Sequence, residues 1–109
     1  MAIDPQVPEI DIAGLVTARL SGTPLIDVRQ LEEFVEAHAP GAKHIALATL
    51  PDHVDQVPES GPVYVICAAG GRSFRACEFL RAQGIDAINV AGGTKAWLDA
   101  GQPFETGAS

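Results

Sequence analysis

The residues of this sequence best suited to chemistry lie in one stretch around the first of its two cysteines. The stretch reads Cys67-Ala68-Ala69-Gly70-Gly71-Arg72-Ser73. Its small residues leave backbone N–H groups unobstructed, and glycine allows the positive φ angles with which successive amides turn inward around an anion. A helix that begins here directs its partially positive N-terminus into the same space. We therefore expect a cradle that lowers the pKa of the Cys67 thiol and makes its thiolate a nucleophile at the mouth of the loop.

The other residues of this stretch are expected to bind the group that reacts with the sulfur. The inward amides of residues 68–73 would hold an anionic or polarised group against Cys67. Arg72 adds a formal charge and a fork of donors, directed at an anion or at loop carbonyls. A nucleotide-binding loop is disfavoured, because no Lys-Ser/Thr pair follows the glycines. The remaining alternative is a small, buried and inert cysteine at the end of a strand.

Strand-like and helical segments alternate along the chain. The run at 63–67 is apolar without polar alternation, which is typical of a central strand buried on both faces. A helix is predicted over 74–83, ended by Gly84. Further strands are predicted at 7–10, 24–29, 44–47 and 85–90, and further helices at 12–20, 30–38, 50–57 and 94–100. The alternation predicts a three-layer α/β domain with a small, mostly parallel central sheet flanked by helices.

In such sheets, ligands bind beyond the carboxyl ends of the strands, near the point where the strand order reverses. Three segments compete for that position, namely 27–29, 67–73 and 91–93. The site is therefore expected where these segments meet.

Composition and charge restrict the classes of protein to which the chain can belong. With 109 residues, 47% of them hydrophobic and 19% charged, the chain is expected to form a single domain over 1–109 with its core at about 7–104. Seven Lys and Arg against fourteen Asp and Glu give a net charge of −7, which opposes binding to nucleic acid or to an anionic membrane. An anionic substrate must therefore be attracted by a local positive feature.

The sequence also predicts where the protein works and what it does not need. No apolar run approaches the roughly 20 residues that span a bilayer, and residues 1–5 do not resemble the start of a signal peptide. Two cysteines are too few for a disulfide framework, and no Cys/His grouping has zinc-ligand spacing. We expect a reducing, cytoplasmic setting and no metal site.

Four segments, taken in order, resemble the single-domain rhodaneses, a family of sulfurtransferases, over nearly the whole chain. The active-site loop of that family has the pattern Cys-x-x-Gly-x-Arg-Ser/Thr, which the stretch beginning at Cys67 fits. The other three segments are Leu25-Ile26-Asp27-Val28-Arg29, then Glu33-Phe34 followed by His38-Ala39-Pro40-Gly41-Ala42, and finally Val90-Ala91-Gly92-Gly93 with Ala96-Trp97 and Gly101-Gln102-Pro103.

The resemblance implies a sulfur relay through a Cys67 persulfide. The cysteine would take the outer sulfur from a small anionic donor such as thiosulfate, or from a persulfide on a partner protein. It would pass that sulfur to cyanide or to a thiol, in two steps and with no metal or organic cofactor. Because the loop interior is neutral, thiosulfate is expected to be a poor donor.

The resemblance also gives roles to residues outside the loop. Asp27 and Arg29 would support the active-site loop through hydrogen bonds and an ion pair. Trp97 would form a wall of the pocket or would anchor the last helix in the core. Cys77 is either a second, resolving thiol or a core residue.

Two other functions remain open. One is a phosphatase or arsenate-reductase-like enzyme, because related cell-cycle phosphatases share the fold. Those enzymes have one more loop residue and tend to have His before the cysteine, whereas four residues separate Cys67 from Arg72 here and Ile66 precedes the cysteine. The other is a non-catalytic docking or sulfide-sensing module. Loop length favours sulfur transfer.

Overall fold

Five short strands form one sheet at the centre of the molecule. The computed structural model describes residues 3–108, so Met1 and Ala2, on which part of the signal-peptide expectation rests, lie outside the described residues. In chain order the strands are β1 Glu9–Ile10, β2 Leu25–Asp27, β3 Lys43–His44, β4 Val63–Ile66 and β5 Ala87–Val90. They lie side by side in the order β1-β5-β4-β2-β3, with each pair of neighbours parallel.

Helices connect the strands and cover both faces of the sheet. They are α1 Ile12–Arg19, α2 Leu31–Glu36, a 3-10 helix Leu47–Gln56, α3 Gly71–Ala82 and α4 Gly93–Asp99. Strand β4 shows how the layers form, because its side chains alternate between the two faces. Val63 and Val65 join a core cluster with α3 and the 3-10 helix, while Tyr64 and Ile66 join a second cluster with α1 and α4. The predicted three-layer α/β architecture is confirmed.

The sheet places its switch point between β2 and β4. From β2 the chain moves outward to β3, and from β4 it moves in the opposite direction to β5. The backbone continues the pairing beyond the strand ends, since the Val28 N–H donates to the Ile66 carbonyl at 3.0 Å. The carboxyl end of β4, which leads into Cys67, therefore lies where a ligand is expected to bind.

Helix α3 begins three residues earlier than the predicted segment 74–83. Gly70 adopts a φ of +111° as its N-cap, and its carbonyl accepts the first helical hydrogen bond, from the Phe74 N–H at 3.1 Å. The sequence pattern missed the first turn because Gly71, Arg72 and Ser73 carry no apolar periodicity. These three residues thus belong to a helix and not to a loop.

The remaining elements are found where they were predicted, with shifted ends. The segment predicted as a helix over 50–57 is a 3-10 helix with a kink at His53, and β3 begins and ends earlier than the predicted strand at 44–47. Pro51, which lies inside the 3-10 helix, lacks the N–H that a regular helix interior uses.

Residues 3–108 lack two kinds of feature, a membrane-spanning helix and a cluster of metal ligands. No helix there is both long and apolar enough to cross a bilayer. In the same part of the chain, no three His, Cys, Asp or Glu side chains are grouped so that they could hold a metal ion.

Candidate active site

The three segments predicted to compete for the ligand position meet in the structure. Cys67 directly follows Ile66, the last residue of β4. In the sheet register, Ile66 pairs with Asp27 on β2. From the other side, the first turn of α4 approaches the loop, where the Thr94 N–H donates to the Cys67 carbonyl at 2.8 Å. The sulfur therefore lies at the junction of β2, β4, α3 and α4.

The sulfur of Cys67 is surrounded by hydrogen-bond donors. The Gly70 N–H donates to Sγ at 3.0 Å, and the hydroxyl of Ser73 lies 3.2 Å from the same atom. Burial acts to raise the pKa of the Cys67 thiol, but hydrogen bonds from the Ser73 side chain and from the amides of Ser73, Gly70 and Ala69 outweigh it. The pKa consequently lies below that of an ordinary cysteine, which favours the thiolate.

Cys67 is more deeply buried than the sequence suggested. It was expected at the mouth of the loop, whereas the residue is 1% exposed and belongs to a core cluster. The physical reason is that α3 starts early and places Gly70 and Ser73 over the sulfur, while α4 closes on the carbonyl side. A donor must therefore have a slim reacting end, or must displace this cover, to reach Sγ.

We expect small alkylating reagents to modify Cys67 selectively. Burial raises the pKa of Cys77 to about 12, whereas hydrogen bonds lower the pKa of Cys67 below that of an ordinary cysteine, so iodoacetamide at neutral pH should label Cys67 alone. Because Cys67 is buried, a bulky aromatic disulfide should react with it at least about tenfold more slowly than iodoacetamide does. Each rate is first divided by the rate of the same reagent with free cysteine. Peptide mass mapping measures both results. Labelling of Cys77 first, or equal corrected rates, would contradict this picture.

A glycine at the start of α4, Gly93, allows the close approach of that helix to the loop. Gly93 has a φ of +60°, and a Cβ there would lie 2.5 Å from the carbonyl oxygens of Cys67 and Ala68. Those carbonyls accept hydrogen bonds from the amides of Thr94 and Lys95, at 2.8 and 3.1 Å. Helix α4 therefore fixes the carbonyls on one side of the loop while the Gly70 amide points to the sulfur.

Arg72 pairs with a carboxylate that the sequence had not connected to it. Its guanidinium donates to both carboxylate oxygens of Glu33 on α2, at 2.7 and 2.8 Å. The hydrogen bond with Arg72 is the largest cause that lowers the pKa of Glu33 to about 2, so this carboxylate stays charged down to strongly acidic pH. Arg72 was expected to donate to a bound anion or to loop carbonyls. In the structure it donates to the carboxylate of a protein side chain instead.

Asp27 and Arg29 form the expected ion pair, and it is buried. Arg29 donates to both oxygens of Asp27, with Nη2 at 2.8 Å, and also to the Ala37 carbonyl that follows α2. The pair thus fixes the end of α2 to β2, while Arg29 itself faces the cleft beside the loop. A direct hydrogen bond from this pair to residues 67–73 is not found in the described part of the chain.

Trp97 does not line the pocket. It is 3% exposed, belongs to the core cluster on the opposite face of the sheet from Cys67, and donates its indole N–H to the Pro103 carbonyl at 2.7 Å. The helical period explains the difference, because the face of α4 that turns toward the cleft carries Thr94, Lys95 and Leu98. The interpretation as a pocket wall is wrong, and the interpretation as a core anchor is confirmed.

A cleft of about 470 Å³ opens beside the loop. Of the seven residues from 67 to 73, only Ala68 lines it, together with Arg29 and residues of α2 and α4. Thr94 also lines it, and its buried hydroxyl has no hydrogen-bond partner among residues 3–108. The cleft is large enough for a small donor or for the end of a partner's side chain.

Three residues with a place in the site were not identified from the sequence. Glu33 appeared only as part of a family motif, and neither Asn89 nor Thr94 was assigned a role. Asn89 is 1% exposed and accepts a hydrogen bond from Ser73 at 2.5 Å. A buried amide at the end of an apolar strand was a signal that could have been followed, since such a group needs partners.

Cys77 lies on the inward side of α3 and is fully buried. It packs in the same core cluster as Cys67, and both cysteines are free thiols. Its raised pKa opposes the thiolate form that a resolving cysteine needs. The structure therefore supports the interpretation of Cys77 as a core residue.

Comparisons with known proteins identify the family of the chain. The family model described as rhodanese-like domain matches residues 13–100. A protein named sulfurtransferase from Allochromatium vinosum is 33% identical over 102 residues, which cover 90% of this chain and 94% of that protein.

Two solved structures show the same architecture. A rhodanese-like domain protein from Staphylococcus aureus is 35% identical with a TM-score of 0.82, and the match covers 92% of this chain and 98% of that one. A thiosulfate sulfurtransferase from Pseudomonas aeruginosa is 27% identical with a TM-score of 0.80, over 93% of this chain but 20% of that one. The cysteine loop, the parallel sheet and these matches together place the chain in the rhodanese family.

Proposed function

We propose that this protein is a sulfurtransferase that carries sulfane sulfur as a persulfide on Cys67. The observation that supports the proposal is the convergence of the Gly70 amide and the Ser73 hydroxyl on one sulfur, at 3.0 and 3.2 Å. Such donors stabilise a thiolate without a neighbouring base. A reducing, cytoplasmic compartment suits the reaction, since it keeps both cysteines as thiols.

The first step loads the enzyme with sulfur. The Cys67 thiolate attacks the outer sulfur of the donor, and a new S–S bond forms while the bond between that sulfur and the rest of the donor breaks. The bonding electron pair leaves with the donor, as sulfite from thiosulfate or as a thiolate from a persulfide. Cys67 then carries a persulfide whose outer sulfur bears the negative charge.

The second step unloads it. An acceptor, cyanide or a thiolate, attacks the outer sulfur and breaks the bond that the first step formed. The electron pair of that bond returns to Cys67 as a thiolate, so no oxidant or reductant is consumed. Amides that lower the pKa of Cys67 also make its thiolate a better leaving group in this step.

The charges around the cleft favour a protein or small-molecule persulfide over thiosulfate as the donor. Arg72 is paired with Glu33, Arg29 with Asp27, and Lys95 with Asp99. These three cations near the cleft are thus balanced by carboxylates, and the whole molecule carries a charge of −7. A dianion such as thiosulfate is repelled more strongly than a persulfide with one charge or none.

We expect Glu33→Gln to raise kcat/KM for thiosulfate by about fivefold, which is equivalent to about 1 kcal/mol of electrostatic energy. The change releases Arg72 from its carboxylate partner, while the amide oxygen of the new side chain can still accept from the Gln30 N–H. Glu32→Gln is the matched control, because it removes the same charge from an exposed position on α2. An equal gain in the control would show that net charge alone, and not Arg72, governs the donor preference.

Intact-mass spectrometry after incubation with a donor tests the proposed function itself. Thiosulfate and a small persulfide such as glutathione persulfide are supplied separately, and the protein is then treated with cyanide. The proposal expects one added sulfur atom on the protein, removed by cyanide with formation of thiocyanate. Hydrolysis of an aryl phosphate without any sulfur loading would favour the phosphatase alternative. Absence of both reactions would favour a docking or sensing module.

A further inference from the structure

A chain of hydrogen bonds runs from the edge of the sheet to the reactive sulfur. Glu9 and Asn89 are direct partners in the parallel pairing of β1 with β5, so their side chains lie together. The Asn89 amide donates to Glu9 Oε2 at 2.7 Å, and its Oδ1 lies 2.5 Å from the Ser73 hydroxyl. Ser73 in turn lies 3.2 Å from the sulfur of Cys67. The chain connects an exposed carboxylate with a buried thiol.

The orientation of the Asn89 amide is fixed by its surroundings. Its nitrogen faces two acceptors, the Glu9 carboxylate at 2.7 Å and the Gly70 carbonyl at 3.2 Å. A flipped amide would place the Asn89 oxygen against both of these acceptors, and neither contact would then contain a hydrogen to form a hydrogen bond. The oxygen of Asn89 must therefore face Ser73, where it can only accept.

Ser73 has one hydroxyl hydrogen and two acceptors for it. A neutral thiol sulfur is a weak acceptor, and the Asn89 oxygen lies at 2.5 Å, a short O–H···O distance, so the hydrogen points to Asn89 when Cys67 is a neutral thiol. The thiol can then donate its own hydrogen to the Ser73 oxygen. When the sulfur becomes an anion, the hydroxyl hydrogen has a stronger acceptor on the sulfur side.

We propose that Glu9 and Asn89 are positioning residues for sulfur transfer, which hold the Ser73 hydroxyl hydrogen away from Cys67 until the sulfur carries a negative charge. This proposal rests on the proposed function of Cys67. The negative charge of Glu9 polarises the Asn89 amide and makes its Oδ1 a stronger hydrogen-bond acceptor. The stronger acceptor opposes rotation of the Ser73 hydroxyl hydrogen toward the Cys67 sulfur.

The consequence for the reaction is a hydrogen-bond donor that follows the negative charge. The competing pull of Asn89 limits how far Ser73 stabilises the thiolate, and the nucleophilicity of a thiolate falls as its stabilisation increases. The hydroxyl requires only a rotation about its C–O bond to change partner. It can turn to the sulfur when charge is on Cys67, and back to Asn89 when the charge moves to the outer sulfur of the persulfide.

Other titratable groups near the sulfur belong to different contacts. Arg72 is paired with Glu33, and Asp27 with Arg29. Cys77, on the same helix as Ser73, is held as a neutral thiol. A shift that depends on both Glu9 and Ser73 can therefore be assigned to the chain through Asn89.

The test is a double-mutant cycle on the pH dependence of iodoacetamide alkylation at Cys67. We expect Ser73→Ala to raise the midpoint by about one pH unit, because a hydrogen bond to the anion is lost. Glu9→Gln, which keeps an acceptor but removes the charge, should lower the midpoint by about 0.3 unit. In the Ser73→Ala background, Glu9→Gln should have no effect. Glu59→Gln, an exposed change before β4, controls for net charge and should leave the midpoint unchanged.

The proposal is overturned if Glu9→Gln shifts the midpoint equally with and without Ser73, since the effect would then be a general field. It is also overturned if Glu9→Gln alone causes no shift or an upward one. A second readout needs no substitution of Asn89. The NMR resonance of the Asn89 side-chain amide should shift as Cys67 ionises in the wild type but not in Ser73→Ala. A resonance that does not shift in the wild type would contradict the proposed chain of hydrogen bonds. Alkylation needs no sulfur donor, so failure here is distinct from failure of sulfur loading.

Discussion

Cys67→Ser is expected to abolish sulfur loading, lowering the transfer rate by at least about 10³-fold. A serine hydroxyl is not ionised by this cradle, because a thiol begins near pKa 8.5 while an aliphatic hydroxyl lies far higher. The replacement is close in shape and keeps contact with the Gly70 amide and the Ser73 hydroxyl, which lie 3.0 and 3.2 Å from the sulfur. Intact mass after donor treatment measures the loss, and the melting temperature shows that the fold is kept.

Cys77→Ala is the matched control for this prediction. Cys77 is as deeply buried as Cys67 and shares its core cluster, so its loss should cost about 1 to 2 kcal/mol of stability. Sulfur loading should remain, since the side chain has no place in the proposed reaction. Loading that disappears in folded Cys77→Ala, or that persists in Cys67→Ser, would show that Cys67 is not the sulfur carrier.

Gly93→Ala is expected to have the second largest effect, by displacing the loop that holds the sulfur. Its backbone has a φ of +60°, and the added Cβ would meet the carbonyl oxygens of Cys67 and Ala68 at 2.5 Å. These atoms are backbone, so the contact cannot be relieved by a side-chain rotation. We expect a loss of roughly 2 to 4 kcal/mol of unfolding free energy and a loss of at least about tenfold in sulfur transfer. Chemical denaturation and a cyanide assay measure the two quantities.

Gly22→Ala separates backbone strain from the contact with the loop. Gly22 also has a positive φ, +76°, but a Cβ there meets nothing within 4 Å. Gly22→Ala should lose only about 1 kcal/mol of unfolding free energy, and its sulfur-transfer activity should be unchanged. Equal losses in both variants would mean that strain alone explains the effect, and that the approach of α4 to the loop is unimportant.

The sequence was sufficient to predict the architecture and the three segments that meet at the candidate site. Strand β4 was evident from an uninterrupted apolar run, and the loop after Cys67 from its small residues. Both signals are local, because they depend on neighbours in the chain. Residues 71–73 were missed as helix because the first turn of α3 begins at a glycine N-cap and carries no apolar pattern.

Other contacts that support the site join residues far apart in the chain, and these were not predicted. Arg72 and Glu33 are separated by 39 positions, and Glu9 and Asn89 by 80. Which carboxylate meets which donor depends on strand order and register, and neither can be read from spacing. The burial of Cys67 depends likewise on how the first turns of α3 and α4 meet the segment that follows β4.

The deep placement of the cysteine also bears on how long a loaded sulfur would last. A residue that is 1% exposed gives little access to peroxide or to passing thiols, which are the common routes by which a persulfide is lost. The same residues that restrict the access of donors to Sγ would therefore protect the persulfide sulfur between the loading and unloading steps. If Cys67 carries sulfur as we propose, the loaded form should therefore outlast a persulfide on an exposed cysteine.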